Sequence, residues 1–159
     1  MTSKRCAQQW SRWMSKMARK PEATFRDAVD RHLPDTVHRQ GGATTFSNGT
    51  PDRYYEGRGG ALWAEYKYTP KLPKVLDLVH RTSNPKLSAL QARWLRRATG
   101  NGVAVCVILG WPEGGIVLSG LDWDQVLLAE WLQDHRLTRR EIAAEIARQL
   151  KEPIPSETK

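Results

Sequence analysis

The sequence predicts an α/β fold in which helices flank a mixed central sheet. An early helix is indicated by an apolar stripe at Phe25, Val29 and Leu33. Two short extended segments then flank the glycine-rich turn 56–60. The run 103–109 is apolar throughout and rich in β-branched residues, which is typical of a strand buried on both faces. Because a further helix separates the hairpin from this strand, a sheet covered by helices is expected.

Two helices are expected before the first strand. Residues 1–20 are interpreted as a basic helix whose apolar face is formed by Trp10, Trp13, Met14 and Met17. Pro21 suits the first turn of the next helix, and Pro34 is expected to end that helix. Glu22 stands three residues before Phe25 on the apolar stripe, so its side chain should face the domain.

A tight β-hairpin is expected in the middle of the chain. An extended stretch over 36–46 and a turn at 47–51 lead into a short strand at 52–55. Depending on the register of the hairpin, Asp52 lies across from Ala64 or from Glu65. The returning strand, 61–68, places alternate residues on opposite faces, with Leu62, Ala64 and Tyr66 on one face and Trp63, Glu65 and Lys67 on the other.

The second half of the chain is expected to supply three helices and two strands. Ser88 and Gln91 suit a capping box for a helix whose buried face is formed by Leu87, Leu90, Trp94, Leu95 and Ala98. The buried strand 103–109 and a strand over 116–118 follow, then one helix over 123–132 and another from Thr138 with Ile142, Ile146 and Leu150 as its stripe. The domain plan is a core over 21–120 with a basic, irregular insertion at 68–86, C-terminal helices over 121–152 and a tail at 153–159.

The composition points to a polyanionic partner. The 159 residues include 25 Lys and Arg against 17 Asp and Glu, for a net charge of +8. The excess is segregated, because residues 1–20 carry +6 and residues 66–100 carry +7. Two basic blocks on a near-neutral body favour nucleic-acid binding. A solvated basic surface without a partner is the alternative.

Cysteine usage and hydropathy exclude several other classes. Cys6 and Cys106 are far apart and form no CxxC pair, which excludes a disulfide scaffold and a zinc–cysteine site. A reducing, cytoplasmic compartment is therefore expected. The longest apolar run is too short to span a bilayer, and no secretory signal is recognisable. No membrane partner is expected.

Two acids and one amine are expected to meet at one end of the hairpin. Asp52 and Glu65 converge across the strands, and Lys67 shares the face of Glu65. Two close carboxylates raise each other's pKa unless they share a cation, for which Mg²⁺ is suited. Such an ion activates water and neutralises charge on phosphate, and a lysine adds a fixed positive charge. These are the parts needed for phosphodiester hydrolysis.

These motifs resemble those of a known nuclease superfamily. The segment Gly49-Thr50-Pro51-Asp52, followed by Trp63-Ala64-Glu65-Tyr66-Lys67, is similar to the PD-(D/E)xK signature. The downstream segment 87–95, then Gly102 and the apolar strand, resembles the VRR-NUC (virus-type replication-repair nuclease) branch. The similarity runs from about Glu22 to Leu118. It implies a restriction-endonuclease-like core in the order αβββαβ, with extra helices at both ends.

The resemblance also implies roles for individual residues. Asp52 and Glu65 would bind Mg²⁺ or Mn²⁺ together with the backbone carbonyl of Tyr66, and Glu22 would support this metal site. The implied catalytic residues are Asp52, Glu65, Lys67 and Gln91. Structural alternatives remain open: Asp52 as a turn residue, Glu65 and Lys67 as a solvated pair, Glu22 as a helix-start acid, and Gln91 as only the capping partner of Ser88.

The expected activity is that of a DNA endonuclease. Candidate DNA-binding residues are the cations of the insertion and of the following helix: Lys71, Lys74, Arg81, Lys86, Arg93, Arg96 and Arg97. Small members of the family suggest a homodimer acting on branched DNA, with a Holliday-junction resolvase as the leading hypothesis. The resemblance also implies the cytoplasm of a bacterium or of a phage-infected host cell as the location. The alternatives are a nuclease without junction preference and a non-catalytic basic nucleic-acid-binding protein.

Overall fold

The computed structural model describes residues 20–41, 49–82 and 84–152. The expected basic helix over 1–20 lies outside these ranges except for Lys20, and the tail at 153–159 lies outside them entirely. In chain order the elements are α1 (Pro21–Asp30), β1 (His38–Gly41), β2 (Arg53–Gly57), β3 (Gly60–Tyr68), β4 (Val75–Leu76), α2 (Ala89–Gly100), β5 (Val105–Trp111), β6 (Gly114–Ser119), a 3-10 helix (Asp122–Asp124), β7 (Leu127–Leu128), α3 (Ala129–Asp134) and α4 (Arg139–Gln149).

The central sheet has five strands in the order β1-β2-β3-β5-β6. All neighbours are antiparallel except β3 and β5, which pair in parallel across the α2 crossover. The elements α1, β1, β2, β3, α2 and β5 follow the order expected of a restriction-endonuclease-like core. The predicted α/β class with a mixed sheet is therefore confirmed. No described helix is both long and apolar enough to cross a bilayer.

The two faces of β3 separate the hydrophobic core from the polar residues. Leu62, Ala64 and Tyr66 are fully buried in the layer that contains α1 and α4. Trp63 packs against the opposite layer, which contains α2 and the side chains of β5 facing it. Since strand residues alternate, Glu65 and Lys67 share the face of Trp63. The predicted alternation is confirmed, and it directs both charged residues toward α2.

Phe25 fixes the position of α1 on the sheet. Its ring lies over the cross-strand glycine pair of β5 and β6, where a Cβ on Gly110 would be 2.6 Å from ring atoms. A Cβ on Gly115 would be 2.9 Å from the same ring. The Arg139 guanidinium of α4 lies 5.3 Å from the ring centroid. This close approach holds the start of α1, and hence Glu22, near the end of β3.

The expected helix boundaries need two corrections. The α1 helix ends at Asp30, before Pro34, although Leu33 is still buried in the following turn. The expected helix over 123–132 is divided into the 3-10 helix, β7 and α3, because β7 pairs with β4. Leu90, expected on the buried face of α2, is 43% exposed.

The segment 68–86 is less irregular than its composition suggests. Val75 and Leu76 form β4, and the side chains of Leu76 and Leu78 are fully buried in the layer beneath α2. Lys71 and Lys74 remain exposed on either side of this anchor. The segment therefore combines a short core contribution with exposed cations.

Substituting Gly110 by alanine is expected to lower the free energy of unfolding by about 1–3 kcal/mol, because the new methyl group overlaps the Phe25 ring. Gly100→Ala is the control, since a Cβ there has no neighbour within 4 Å and alanine favours the helix. Urea denaturation measures both values. Equal stability of the two variants would contradict the packing described for Phe25.

Candidate active site

The hairpin brings Asp52 next to Glu65. The last pair of the β2–β3 ladder joins Arg53 to Ala64, so the next position along each strand belongs to Asp52 and Glu65. The Asp52 carboxylate accepts a hydrogen bond from the backbone N–H of Tyr66, with Oδ2 at 3.0 Å. Of the two registers left open by the sequence, the structure has the one in which Asp52 lies across from Glu65.

Glu65 is a buried carboxylate with one oxygen unpaired. Its side chain is 1% exposed, and its Oε1 accepts hydrogen bonds from Lys67 Nζ at 2.7 Å and Gln91 Nε2 at 2.5 Å. Its Oε2 has no hydrogen-bond partner among the residues that the structure describes. Burial, aided by the negative charge of Asp52, raises the pKa of Glu65 to about 7, although Lys67 acts in the opposite direction. A buried carboxylate in this state favours a further positive charge nearby.

Glu22 extends the acidic cluster from the side of α1. Burial raises the pKa of its carboxyl group, Lys67 lowers it and Asp52 raises it. The carboxyl group of Glu22 therefore lies close enough to Lys67 and Asp52 for their charges to change its pKa. The half-buried side chain agrees with the expectation that Glu22 faces the domain.

Gln91 makes the capping contact and also faces Glu65 of the candidate site. Its Oε1 accepts a hydrogen bond from the Ser88 backbone N–H at 2.9 Å, which completes the capping box of α2. Its Nε2 donates to Glu65. One side chain therefore joins the start of α2 to the buried carboxylate of β3.

Gly49 supports the candidate site, a role that the sequence did not predict. Its φ of +91° lies in the left-handed region, and a Cβ there would be 2.6 Å from the Leu90 carbonyl oxygen. The loop that leads to Asp52 thus lies directly on the first turn of α2. The glycine before Thr50-Pro51 is itself the sequence signal, because a backbone contact this close leaves no room for a side chain.

A buried polar network behind β3 was also missed. The Tyr55 hydroxyl group lies 2.7 Å from that of Tyr66 and donates to Asp30 Oδ1 at 2.6 Å. Arg53 Nε donates to the other oxygen of Asp30 at 3.1 Å. These bonds tie the end of α1 to β2 and β3 on the face opposite Glu65. The signal was the presence of one tyrosine on the inward face of each of the two strands, Tyr55 on β2 and Tyr66 on β3.

The candidate DNA-binding cations lie on the 68–86 segment and along α2. A groove of about 360 Å³ is lined by Val79, Leu87, Ser88, Ala89, Ala92, Arg93 and Arg96. Lys71, Lys74, Arg93 and Arg97 are exposed, and Arg81 and Lys86 are half-buried. Arg96 differs from them, because its guanidinium donates to both carboxylate oxygens of Asp124 at 2.9 and 2.7 Å and lies 5.4 Å from the Trp123 ring centroid. Of the seven residues, Arg96 therefore has a structural partner already.

The acidic residues are of the chemical type that binds a hard divalent cation, but their side chains do not converge on one point. Within residues 20–41, 49–82 and 84–152, no three His, Cys, Asp or Glu side chains converge as a formed metal site. Lys67 occupies one oxygen of Glu65, and Asp52 is turned toward the Tyr66 backbone. The unpaired Oε2 of Glu65 and the neighbouring acids are nevertheless the oxygen donors that Mg²⁺ prefers.

Comparisons with known proteins do not assign this chain to a family. No protein-family model matches the sequence, and no curated protein matches it. Among solved structures, the chain is similar to Hjc, a Holliday junction resolvase of the archaeal hyperthermophile Archaeoglobus fulgidus, at 19% identity and a TM-score of 0.49. The similarity covers 74% of this chain and 98% of that chain. At this level it assigns neither a family nor an activity.

Because Gln91 contacts both Ser88 and Glu65, we expect Gln91→Ala to lower the free energy of unfolding more than Ser88→Ala does. Ser88→Ala removes the helix cap alone and should lower the free energy of unfolding by about 1 kcal/mol. Gln91→Ala also removes a donor from the buried Glu65 and should cost about 2–4 kcal/mol in total. Urea denaturation at neutral pH compares them. Equal costs would show that the bond to Glu65 contributes nothing to stability.

Proposed function

We propose that the chain is a divalent-metal-dependent DNA endonuclease that hydrolyses phosphodiester bonds. The observation that carries this proposal is the buried Glu65 carboxylate, which has one oxygen unpaired and lies beside Asp52 and Lys67. A structural ion pair would satisfy both oxygens, since unpaired buried acceptors destabilise a fold. A site that binds a cation during its function has a reason to leave one oxygen free.

Asp52 and Glu65 would hold the ion, with Glu22 and the backbone carbonyl of Tyr66 completing the set that the PD-(D/E)xK resemblance implies. Mg²⁺ is the proposed ion and Mn²⁺ the substitute. The chemistry supplied by such an ion is a lower pKa for its bound water and neutralisation of charge on a phosphate oxygen.

The protein's own side chains have separate tasks in this proposal. The Lys67 ammonium group lies 2.7 Å from Glu65, and this ion pair fixes its position beside the proposed metal site. From there its positive charge would stabilise the negative charge that develops on the attacked phosphate. Gln91 fixes the orientation of Glu65 by hydrogen bonding to the oxygen that Lys67 also contacts. Because Glu65 is buried, its interactions are screened less by water than those of a surface acid.

The basic surroundings support DNA as the substrate. The exposed lysines of the 68–86 segment follow Lys67 along the chain, and the exposed arginines of α2 lie on the helix that carries Gln91. Cations in such positions bind phosphates without regard to base sequence. The finer parts of the proposal are membership of the VRR-NUC branch, a preference for branched DNA such as Holliday junctions, and a homodimer. A two-fold dimer would present two sites to the paired strands of a junction.

Cleavage should require both the metal and the acids. With Mg²⁺, we expect the wild-type chain to cut labelled DNA, and EDTA to abolish cutting. Asp52→Asn should reduce the cleavage rate by at least about 10²–10³-fold while DNA binding survives, because charge stabilisation is lost and the basic surface is not. Glu145→Gln is the matched control, since this carboxylate pairs with Arg148 on α4 in the opposite layer.

Parallel assays on a four-way junction and a linear duplex separate the remaining hypotheses. Faster cutting of the junction supports a resolvase, and equal rates retain the nuclease while removing the junction preference. Binding without cutting, in either Mg²⁺ or Mn²⁺, would contradict the proposed activity and favour the non-catalytic alternative.

The exposed lysines of segment 68–86 are expected to contact DNA. Lys71→Glu combined with Lys74→Glu should weaken binding in EDTA and reduce the salt dependence by up to about two phosphate contacts, a change of about 2 in the slope of log K against log salt. These substitutions leave Leu76 and Leu78 in the core, unlike a deletion of the segment. The control is Arg140→Glu on α4 in the opposite layer. An unchanged salt slope in the double variant would contradict the contact.

A further inference from the structure

Three aromatic rings form a continuous row on the sheet face that carries Glu65. The centroids of Tyr54 and Trp63 are 4.9 Å apart, and those of Trp63 and Trp94 are 5.4 Å apart. The planes are inclined by 53° and 63°, so each contact leaves part of a ring face free. All three side chains are half-buried, unlike the fully buried Tyr55 and Tyr66 on the opposite face.

The row begins close to the candidate active site. Tyr54 and Trp63 are directly paired across β2 and β3, two residues along each strand from Asp52 and Glu65. Two strand residues span about 6.6 Å, which is about two nucleotide steps at 3.4 Å per step. Trp94 lies on α2 three residues after Gln91. The row therefore lies next to Asp52 and Glu65 on the hairpin and next to Gln91 on α2.

Tyr54 is the member of the row best placed to meet a ligand. Its hydroxyl group donates to Glu56 Oε2 at 2.9 Å, which holds the ring in one orientation. Trp63 packs against the Tyr54 ring from the side of α2, and Trp94 packs against Trp63. On its other side lies β1, whose four residues are all exposed. A half-buried ring that packs against Trp63 on one side and lies next to an exposed edge strand is suited to stacking on another ring.

We infer that Tyr54 stacks on an unpaired base of the DNA beside the bond that is cut. This inference rests on the proposed function and narrows its substrate to DNA with unpaired bases next to the cleavage site, such as a flap, a gap or an open branch point. A base within an intact duplex is covered on both faces and cannot stack on a protein ring. Stacking tolerates any base, so no sequence preference follows.

Binding measurements without metal test this assignment separately from cleavage. In EDTA, the affinity of the full chain is measured by fluorescence anisotropy for a duplex with a single-stranded flap and for a fully paired duplex of equal length. Tyr54→Leu should weaken binding to the flap DNA by about tenfold and leave binding to the paired duplex unchanged. Tyr54→Phe, which keeps the ring, should retain the preference. A fluorescent adenine analogue at the first unpaired position should be quenched by wild type and not by Tyr54→Leu.

Trp131→Leu is the control, because this exposed aromatic residue stacks on His135 of the α3 end and is absent from the row. Equal loss of affinity for both DNAs in Tyr54→Leu, or no loss for either, would overturn the stacking role. So would Tyr54→Phe behaving like Tyr54→Leu. If wild type cuts DNA but prefers the paired duplex, only this inference fails. If wild type binds neither DNA, the inference and the proposed function fail together.

Discussion

The contact between Glu65 and Lys67 is the interaction around which the rest of the structure is arranged. A carboxylate that is 1% exposed is tolerated only because an ammonium group and an amide donate to the same oxygen. The central position of β3, between β2 and β5, removes this carboxylate from water. The other oxygen is left unpaired among the described residues, which makes the pair a site with capacity for a cation as well as a structural contact.

Three elements outside β3 determine what surrounds this pair. The ring of Phe25 on Gly110 sets the position of α1, and with it Glu22. The hairpin register brings Asp52 alongside, and Gly49 lets the preceding loop touch the start of α2. A charged centre in the interior is thus assembled by apolar packing, by the hairpin register and by one close backbone approach, because these fix geometry without adding further charge.

Much of the fold could be predicted because it depends on local periodicity. The alternation along 61–68, the buried strand after α2 and the capping box of Ser88 and Gln91 involve neighbours within four residues, and the structure contains all of them. The convergence of Asp52, Glu65 and Lys67 followed from one hairpin. What could not be predicted depends on distant partners: the two-residue β4 needs β7, Arg96 needs Asp124, and the Asp30–Tyr55–Tyr66 network joins three elements. Val103, expected in the buried strand, precedes β5 and is 41% exposed.

The side chain of Gln91 couples the stability of two elements. Its amide oxygen binds the start of α2, and its amide nitrogen binds Glu65 on β3. Fraying of the first turn of α2 breaks the bond to the Ser88 backbone and also releases the donor held by Glu65. Opening of this helix end and solvation of the buried acid therefore belong to one equilibrium, not two. Any molecule that binds more tightly when Glu65 is held in place will, by linkage, also strengthen the helix end, even though it touches no backbone atom there.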